Sequence, residues 1–245
     1  MGSGIAQIAA QAGCEVILVD SSVEALQRSE EKLANVFARL VEKGRVTSSE
    51  SGSIQQRITR VTTLESLAPC NMVIEAIVED LDIKATLFQS LEGIVTEDAI
   101  LATNTSSLSV TALARGCNRP ERVIGLHFFN PAPLMALVEV IPALQTEADL
   151  TRFALAQMAA WGKSPALARD TPGFIVNRVA RPFYSEALRI LDEGIASVED
   201  IDASMRAQGF RMGPFELMDL IGHDVNYAVT STVHAAFYGD SRYRP

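Results

Sequence analysis

A histidine and a glutamate lie twelve positions apart, and each adjoins or interrupts an apolar segment of the chain. His127 follows the apolar segment 123–126, and Glu139 interrupts the apolar segment 137–141. Both segments are typical of strands, and the loop between them contains two prolines. Two strands that return beside each other would bring the imidazole to the carboxylate. A carboxylate that accepts one ring N–H raises the basicity of the other ring nitrogen, so the pair is a candidate general base.

A second interpretation of His127 stays open when the residue is considered alone. A histidine inside an apolar strand is more often a core residue whose ring is satisfied by backbone groups. The two interpretations differ in one structural expectation, which is whether the Glu139 carboxylate lies beside the ring.

The composition excludes several classes of protein. The chain has 245 residues, of which 48% are hydrophobic, so it can bury a sizeable core. Its formal charge of −9 argues against nucleic acid or an anionic membrane surface as the main partner. No apolar run approaches the roughly 20 residues that cross a bilayer. The three scattered cysteines have no metal-ligand spacing and favour a cytoplasmic protein without a metal site.

The first twenty residues resemble half of a dinucleotide-binding unit. Small and apolar residues at helical spacing follow Gly2 and end at Gly13, and the next segment is a buried strand that ends at Asp20. Gly2 occupies the third glycine position of a G-x-G-x-x-G fingerprint, and the acid follows about 20 residues later. Asp20 would accept hydrogen bonds from the adenosine ribose and repel a 2′-phosphate, which favours NAD over NADP.

The first two glycines of that fingerprint and the strand before them are missing from the sequence. That strand is central in a doubly wound sheet, so its loss would leave exposed edges on both neighbouring strands. Its loss would also remove the turn that brings N–H groups to the pyrophosphate. We expect a shortened chain, and the alternative is a natural protein that no longer binds the cofactor.

The rest of the chain predicts an α/β domain followed by helices. Strand-like and helical patterns alternate, which indicates a parallel sheet, and no strand pattern follows residue 170. We therefore predict a Rossmann-type doubly wound sheet without its first strand over residues 1–170 and an all-α domain over residues 171–245. The predicted strands are 72–77, 99–103 and 123–129 with an extended piece at 165–169, and the predicted helices are 23–40, 52–60, 84–95, 110–115, 151–161, 174–193, 198–207, 214–221 and 226–237.

Several motifs resemble those of the L-3-hydroxyacyl-CoA dehydrogenase family, and they span nearly the whole chain in the family's order. Segments 178–184 and 220–226 are similar to the bacterial 3-hydroxybutyryl-CoA and 3-hydroxyadipyl-CoA dehydrogenases, including those of phenylacetate catabolism. The matching motifs are Met1–Gln7, Val73–Glu79, Thr103–Leu108, Gly125–Glu139, Asp170–Arg178 and Met212–Leu217.

The resemblance implies catalytic roles for four residues. His127 would be the general base that takes the substrate hydroxyl proton, and Glu139 would orient it and stabilise the imidazolium. Ser106 and Asn177 would hydrogen-bond the substrate oxygens. From the residue types alone, Ser106 could equally cap a helix, and Asn177 could be a cap or a helix-surface residue.

The resemblance also implies cofactor contacts. Gly2, Asp20 and Asn104 would bind NAD, and Glu79 and Lys84 match positions near the nicotinamide ribose and substrate. From the sequence alone, Glu79 and Lys84 could instead be a solvated loop and helix start.

One further residue is a candidate for binding coenzyme A. Lys43 lies in the basic stretch 43–45 and could contact a CoA phosphate, although a solvated helix end is as plausible. No metal is expected.

The implied activity is the NAD-dependent oxidation of a 3-hydroxyacyl-CoA to the 3-oxoacyl-CoA, as in fatty acid metabolism. The helical domain would form a homodimer, and the chain would be shortened at both ends relative to the family. Two alternatives stay open: a dehydrogenase of a free hydroxy acid, similar to gulonate dehydrogenase and lambda-crystallin, and a non-catalytic fragment that lacks the phosphate-binding turn.

Overall fold

The computed structural model describes all 245 residues and divides into two compact units, residues 1–170 and 171–245. The first unit holds every strand and the second is helical, which confirms the predicted α/β fold class. The strands are β1 Val16–Val19, β2 Ile58–Val61, β3 Met72–Glu75, β4 Ile100–Thr103, β5 Val123–Phe128, β6 Leu137–Pro142 and β7 Ser164–Leu167.

Ten α-helices accompany the strands, and none of them combines the length and apolar character that a bilayer span requires. They are α1 Gly2–Gln11, α2 Val23–Glu42, α3 Ser48–Gln56, α4 Leu81–Glu92, α5 Val110–Ala114, α6 Ala148–Ala160, α7 Val176–Asp192, α8 Val198–Ala207, α9 Pro214–Ile221 and α10 His223–Ala236; three 3-10 turns cover Leu64–Leu67, Pro120–Arg122 and Ser241–Tyr243.

The strands of the first unit form two separate sheets. β1 pairs in parallel with β2, and the larger sheet has the order β3-β4-β5-β6-β7. Within the larger sheet only β5 and β6 are antiparallel. β1 and β3 each have a single neighbour, so one edge of each strand is unpaired, which confirms the expected open edges.

Helix α1 connects the two sheets through its apolar faces. Ile5 and Ile8 belong to the core of the larger sheet, where they join Leu126. Ala10 belongs to the smaller core and packs with Val16 of β1. The side chains of α1 therefore keep the two sheets in one unit by hydrophobic burial rather than by strand pairing.

The predicted helix over residues 52–60 is wrong at its C-terminal end. α3 begins earlier, because Thr47 and Glu50 form a reciprocal capping box, and it ends at Gln56. The next four residues form β2, in which Ile58 aligns with Val16 of β1 and is buried. Pairing with β1 therefore overrides the weak helical pattern of this segment.

The helical unit has its own core, built from α7, α8 and α9. Tyr184, Ile201 and Met218 are among its buried members. α7 remains helical through Pro182. The buried Asp202 carboxylate accepts the backbone N–H groups of Phe215 and its successor, so it stabilises the start of α9.

Candidate active site

The imidazole of His127 and the carboxylate of Glu139 face each other across two antiparallel strands. The register of β5 and β6 places these residues directly opposite each other. His127 Nδ1 lies 2.7 Å from Glu139 Oε2, and the two side chains are 7% and 0% exposed. The interpretation of His127 as a core residue bonded only to backbone is therefore wrong.

Burial makes the pairing of His127 and Glu139 a strong one. The Glu139 carboxylate acts on the ring in a medium of low dielectric, where charge-assisted hydrogen bonds are stronger than in water. A carboxylate at Nδ1 fixes the tautomer that carries its proton on Nδ1 and directs Nε2 away from the glutamate. The ring of Phe129 lies 4.4 Å from the imidazole, centroid to centroid, and limits rotation of the imidazole.

A second buried cluster lies at the carboxyl ends of β3 and β4. Glu75 Oε1 accepts a hydrogen bond from Lys84 Nζ at 2.6 Å, and Glu75 Oε2 accepts one from the Thr103 hydroxyl at 2.7 Å. Lys84 Nζ also lies 3.3 Å from Glu79 Oε2. The side chain of Lys84 is only 1% exposed, so the interpretation of Lys84 as a solvated helix start is wrong.

The Glu79 carboxylate organises the loop that follows β4. Its Oε1 accepts the Thr105 hydroxyl at 2.6 Å, the Ser106 N–H at 2.7 Å and the Ser106 hydroxyl at 3.1 Å. Burial acts to raise the pKa of Glu79, but the hydroxyl of Thr105 and the ammonium of Lys84 outweigh it, so the pKa lies below its usual value. Glu79 is therefore held ionised and fixes the position of Ser106.

Ser106 does not cap a helix. The N-cap of α5 is Ser109, whose hydroxyl accepts the N–H of Ala112 at 3.1 Å. Ser106 instead is half-buried and donates its hydroxyl to Glu79. This geometry removes the capping alternative and leaves a hydroxyl fixed beside a carboxylate.

Asn104 connects the Ser106 loop to the strand that carries the histidine. Its Oδ1 accepts the N–H of Phe128 at 2.9 Å, directly after His127 in the chain. The first unit thus brings the loop of residues 104–107 and the end of β5 together at one end of the larger sheet.

The start of α1 and the end of β1 suit a dinucleotide. α1 has no acidic residue in its first turn and no side-chain cap, so its terminal N–H groups suit an anion. A Cβ at Gly2 would meet only Leu18 Cδ1, at 3.8 Å. Asp20 is exposed directly after β1, and its Oδ1 accepts the N–H of Ser22 at 2.9 Å. These residues fit the adenosine half of NAD.

The remaining two candidate residues lie on the helices α2 and α7. Lys43 is the exposed C-cap residue of α2. Asn177 lies in the first turn of α7 in the helical unit, where its Oδ1 accepts a long hydrogen bond of 3.5 Å from Arg181.

Glu75 and Arg181 are two of the buried polar residues that were not predicted from the sequence. Glu75 interrupts an apolar strand in the same way that Glu139 does, so the sequence pattern could have indicated that this carboxylate is buried. Arg181 lies on a helix with many charged residues, and the sequence gives no sign that this arginine alone is buried.

Comparison with protein families and known proteins identifies both units. Residues 1–171 match the family model described as 3-hydroxyacyl-CoA dehydrogenase, NAD binding domain. Residues 173–245 match the model described as 3-hydroxyacyl-CoA dehydrogenase, C-terminal domain.

Individual relatives are similar over the full chain. A 3-hydroxyadipyl-CoA dehydrogenase of Escherichia coli K12 is 48% identical and matches 100% of this chain and 52% of its own length. A probable 3-hydroxybutyryl-CoA dehydrogenase of Deinococcus radiodurans is 42% identical and matches 100% of this chain and 88% of its own length. The crystal structure of a 3-hydroxybutyryl-CoA dehydrogenase from E. coli K12 superimposes with a TM-score of 0.98 at 47% identity, covering 100% of this chain and 52% of that one. The chain thus spans about half the length of the E. coli relative.

Proposed function

The chain belongs to the 3-hydroxyacyl-CoA dehydrogenase family, and on that premise we propose that it oxidises a 3-hydroxyacyl-CoA to the 3-oxoacyl-CoA with NAD. The observation that carries the proposal is the 2.7 Å contact between His127 and the fully buried Glu139. A neutral imidazole held by a carboxylate is a general base suited to deprotonating an alcohol near neutral pH.

His127 accepts the proton of the C3 hydroxyl at Nε2, because Glu139 occupies Nδ1. The imidazolium that forms lies against the Glu139 carboxylate, and the two opposite charges stabilise each other in a buried site. The strand pairing of β5 and β6 holds both groups in place before substrate binds, which lowers the cost of reaching the transition state. NAD, when bound, supplies the acceptor of the C3 hydride.

Ser106 and Asn177 position the substrate oxygens. The Ser106 hydroxyl donates to Glu79, so its lone pairs can accept a hydrogen bond from the substrate hydroxyl. The Asn177 side chain carries amide N–H groups, which donate hydrogen bonds to oxygen acceptors such as a substrate oxygen. A group that holds a substrate oxygen in place restricts the orientation of C3, which speeds a reaction without taking part in the chemical step.

Two groups of residues would hold the cofactor. Gly2 and Asp20 would bind the adenosine half, where the Asp20 carboxylate accepts ribose hydroxyls and disfavours a 2′-phosphate. Glu79, Lys84 and Asn104 would shape the nicotinamide end, because their network fixes the loop after β4.

The exposed Lys43 would contact a phosphate of CoA, and the solvated helix end remains its alternative role.

We also infer a homodimer that forms through the helical unit. This unit exposes large apolar side chains, of which Val179 and Leu220 are each 70% exposed and Tyr227 is 66% exposed. Exposed apolar residues in such number are typical of an interface. Sedimentation equilibrium should give twice the 26.5 kDa of one chain, and a mass of one chain at micromolar concentration would contradict the dimer. The three free cysteines favour a cytoplasmic location.

The activity is tested by comparing substrates. Oxidation of NADH with acetoacetyl-CoA is compared with the reduction of NAD by gulonate and other free hydroxy acids. The assays use the chain itself and a version extended at its N-terminus by an apolar strand that ends in Gly-x-Gly. Faster turnover of the CoA thioester supports the proposal. Turnover of free hydroxy acids without turnover of the thioester would make the chain a dehydrogenase of free hydroxy acids.

A non-catalytic fragment is the second candidate, and the open edges of β1 and β3 favour it. No strand of the structure lies between β1 and β3, and such a strand would precede the Gly-x-Gly turn that brings N–H groups to the pyrophosphate. Calorimetric titration of the 245-residue chain with NADH separates the two candidates. Saturable binding of NADH to the 245-residue chain with micromolar affinity excludes the non-catalytic candidate. If NADH gives a heat of binding only with the extended version, the result supports that candidate.

A further inference from the structure

Lys163 uses its ammonium group to hold a loop of the first unit. Its Nζ donates hydrogen bonds to the carbonyl oxygens of Ala132 at 2.7 Å and Met135 at 2.9 Å. Both carbonyls belong to the loop of residues 129–136, which joins β5 to β6. These two strands carry the proposed general base and its carboxylate, so Lys163 binds the segment that connects them.

The ammonium of Lys163 has no carboxylate partner. The residue takes part in none of the ion pairs of the structure, and burial lowers the pKa of Lys163. A partly buried cation is unfavourable unless acceptors surround it. The two loop carbonyls are its acceptors, and a charged donor forms stronger hydrogen bonds than a neutral one. The lysine therefore binds the loop more firmly than an uncharged side chain would.

The backbone of Lys163 is fixed on both sides. Helix α6 ends in a Schellman motif, in which Gly162 has a φ of 74° and the N–H of Lys163 donates to the Met158 carbonyl at 3.0 Å. The N–H of Ser164 donates to the Ala136 carbonyl at 2.8 Å, where β7 begins to pair with β6. Because both neighbours are held by backbone hydrogen bonds, the lysine sets the position of the loop rather than following it.

The loop of residues 129–136 packs against the first turn of α1. A Cβ at Gly4 would lie 3.2 Å from Pro133 Cδ and 3.3 Å from Ala132 Cβ, so a larger residue at position 4 would crowd the loop. Ala132 is buried and shares a core cluster with Ile5 of α1. The N–H groups at this end of α1 suit the anionic part of a dinucleotide. The loop thus contacts the element proposed to bind the cofactor.

The same loop contacts the imidazole. Phe129 is its first residue, and the ring of Phe129 lies 4.4 Å from that of His127, centroid to centroid. One segment of eight residues therefore joins the cofactor side of the site to the proposed base, and its two carbonyl contacts with Lys163 lie between these ends.

We propose that Lys163 is a positioning residue of the dehydrogenase, which holds the loop of residues 129–136 so that the bound cofactor and the imidazole of His127 meet in the productive geometry. This role rests on the proposed dehydrogenase activity and adds to it a residue that acts through the loop. Release of the two carbonyls would let the loop move relative to Gly4 and to the imidazole. A displacement of about 1 Å is enough to slow a reaction about a hundredfold.

Hydrogen exchange tests whether Lys163 holds the loop. The N–H groups of Leu134 and Met135 donate to the Pro131 carbonyl at 2.9 Å and 3.1 Å, so their protection reports on the order of the loop. Lys163→Met removes the donor and keeps an unbranched stem, and it should lower this protection about tenfold. Lys163→Arg keeps a charged donor and should restore most of it.

The affinity for NADH tests whether the loop positions the cofactor. Trp161 is the only tryptophan of the chain and lines a groove together with Pro133 and Lys163. NADH absorbs light at the wavelengths where tryptophan emits, so titration of Trp161 fluorescence measures NADH binding without turnover. Lys163→Met should weaken NADH binding about tenfold, because the loop packs on the first turn of α1.

Steady-state kinetics separate a positioning role from a structural one. With NADH and acetoacetyl-CoA, Lys163→Met should lower kcat about a hundredfold and leave the KM for acetoacetyl-CoA nearly unchanged, because Ser106 lies outside the loop. A lysine needed only for folding would reduce the amount of active protein, which lowers the apparent kcat but changes neither KM nor the affinity for NADH.

Lys32→Met is the matched control. It makes the same chemical change at an exposed lysine of α2 and should leave amide protection, NADH affinity and kcat unchanged. If Lys163→Met does not fold by circular dichroism, Lys163→Gln takes its place. This variant keeps an uncharged donor on a shorter stem and should show the same changes at a smaller size.

Unchanged protection of the Leu134 and Met135 amides in the Lys163 variant would overturn the proposal. A loss of protection with unchanged kcat and NADH affinity would also overturn it, since that result assigns a purely structural role to the lysine. An unsubstituted chain that does not turn over acetoacetyl-CoA refutes the dehydrogenase activity and the positioning role with it. Normal turnover by Lys163→Met refutes only the role of the lysine.

Discussion

At the scale of single residues, the charge of Glu139 should contribute less to turnover than the imidazole it orients. Glu139→Gln keeps an oxygen near Nδ1 but removes the charge that stabilises the imidazolium. We expect kcat to fall by about a hundredfold, towards the lower end of the range for general acid–base groups. Steady-state kinetics at pH 7 measure this loss, and unchanged kcat would contradict the role of the carboxylate.

The Glu79 carboxylate should make the loop of residues 104–107 sensitive to acid. Its pKa is lower in the folded protein than in the unfolded chain, so its contribution is present above the unfolded pKa and is lost as pH falls through the folded one. Protection factors of the Ser106 and Ser107 amides should therefore decrease as the pH falls below the usual glutamate pKa and through the lower pKa of folded Glu79.

Hydrogen exchange of Glu79→Gln tests this sensitivity. The backbone N–H groups of Ser106 and Ser107 should be weakly protected at every pH, because an uncharged glutamine side chain replaces the ionised carboxylate that accepts them. Glu50→Gln is the control, since Glu50 also has a lowered pKa but lies in the capping box of α3. Acid-independent protection in the unsubstituted protein would show that Glu79 does not hold the loop.

Sequence patterns predict buried polar residues only where they break an apolar run. His127 and Glu139 stand out because each adjoins or interrupts a strand-like segment, and their pairing was correctly predicted from that pattern. Lys84 stands in a helix start with acidic neighbours, where solvation is the natural expectation. Its burial depends on Glu75, which ends β3 nine positions earlier and accepts a hydrogen bond from Lys84 Nζ, a contact that the local pattern does not show.

At the scale of elements, Gly125 allows β5, the strand that contains His127, to pack closely against α5 and β6. A Cβ at this position would lie 2.9 Å from Val110 Cγ2 and 3.0 Å from Ile141 Cβ. Gly125→Ala should therefore lower the free energy of unfolding by about 1–3 kcal/mol through overpacking. Urea denaturation measures the change.

Gly52→Ala is the matched control for this substitution. Gly52 lies within α3, and a Cβ there meets nothing within 4 Å. The same chemical change should stabilise the protein by up to about 1 kcal/mol, because alanine favours the helix. Equal stability of the two variants would show that β5 and α5 can separate without cost.

The elements were predicted where local pattern and tertiary pairing agree. The strands β3 to β5 and all four helices of the second unit lie close to their predicted positions. β2 was missed because its four residues form a strand only through pairing with β1, which a local pattern does not contain. The same limit applies to Arg181, whose burial depends on the contact between α7 and α10.

At the scale of the whole molecule, the strands of the first unit form two sheets rather than one. β1 and β3 each pair on one side only, and α1 bridges them through Ile5, Ile8 and Ala10. His127 and Glu139 lie on β5 and β6, which β4 separates from the unpaired edge of β3, so the geometry of this pair does not depend on pairing between the two sheets.

The most direct test of the proposed base is turnover of acetoacetyl-CoA by the His127→Ala protein. We predict that kcat falls by about a thousandfold or more, since the substitution removes the group proposed to exchange the proton at the C3 oxygen. The affinity for NADH should stay nearly unchanged, because the proposed cofactor contacts lie on other residues. Turnover equal to that of the unsubstituted protein would contradict the assignment of His127 as the general base.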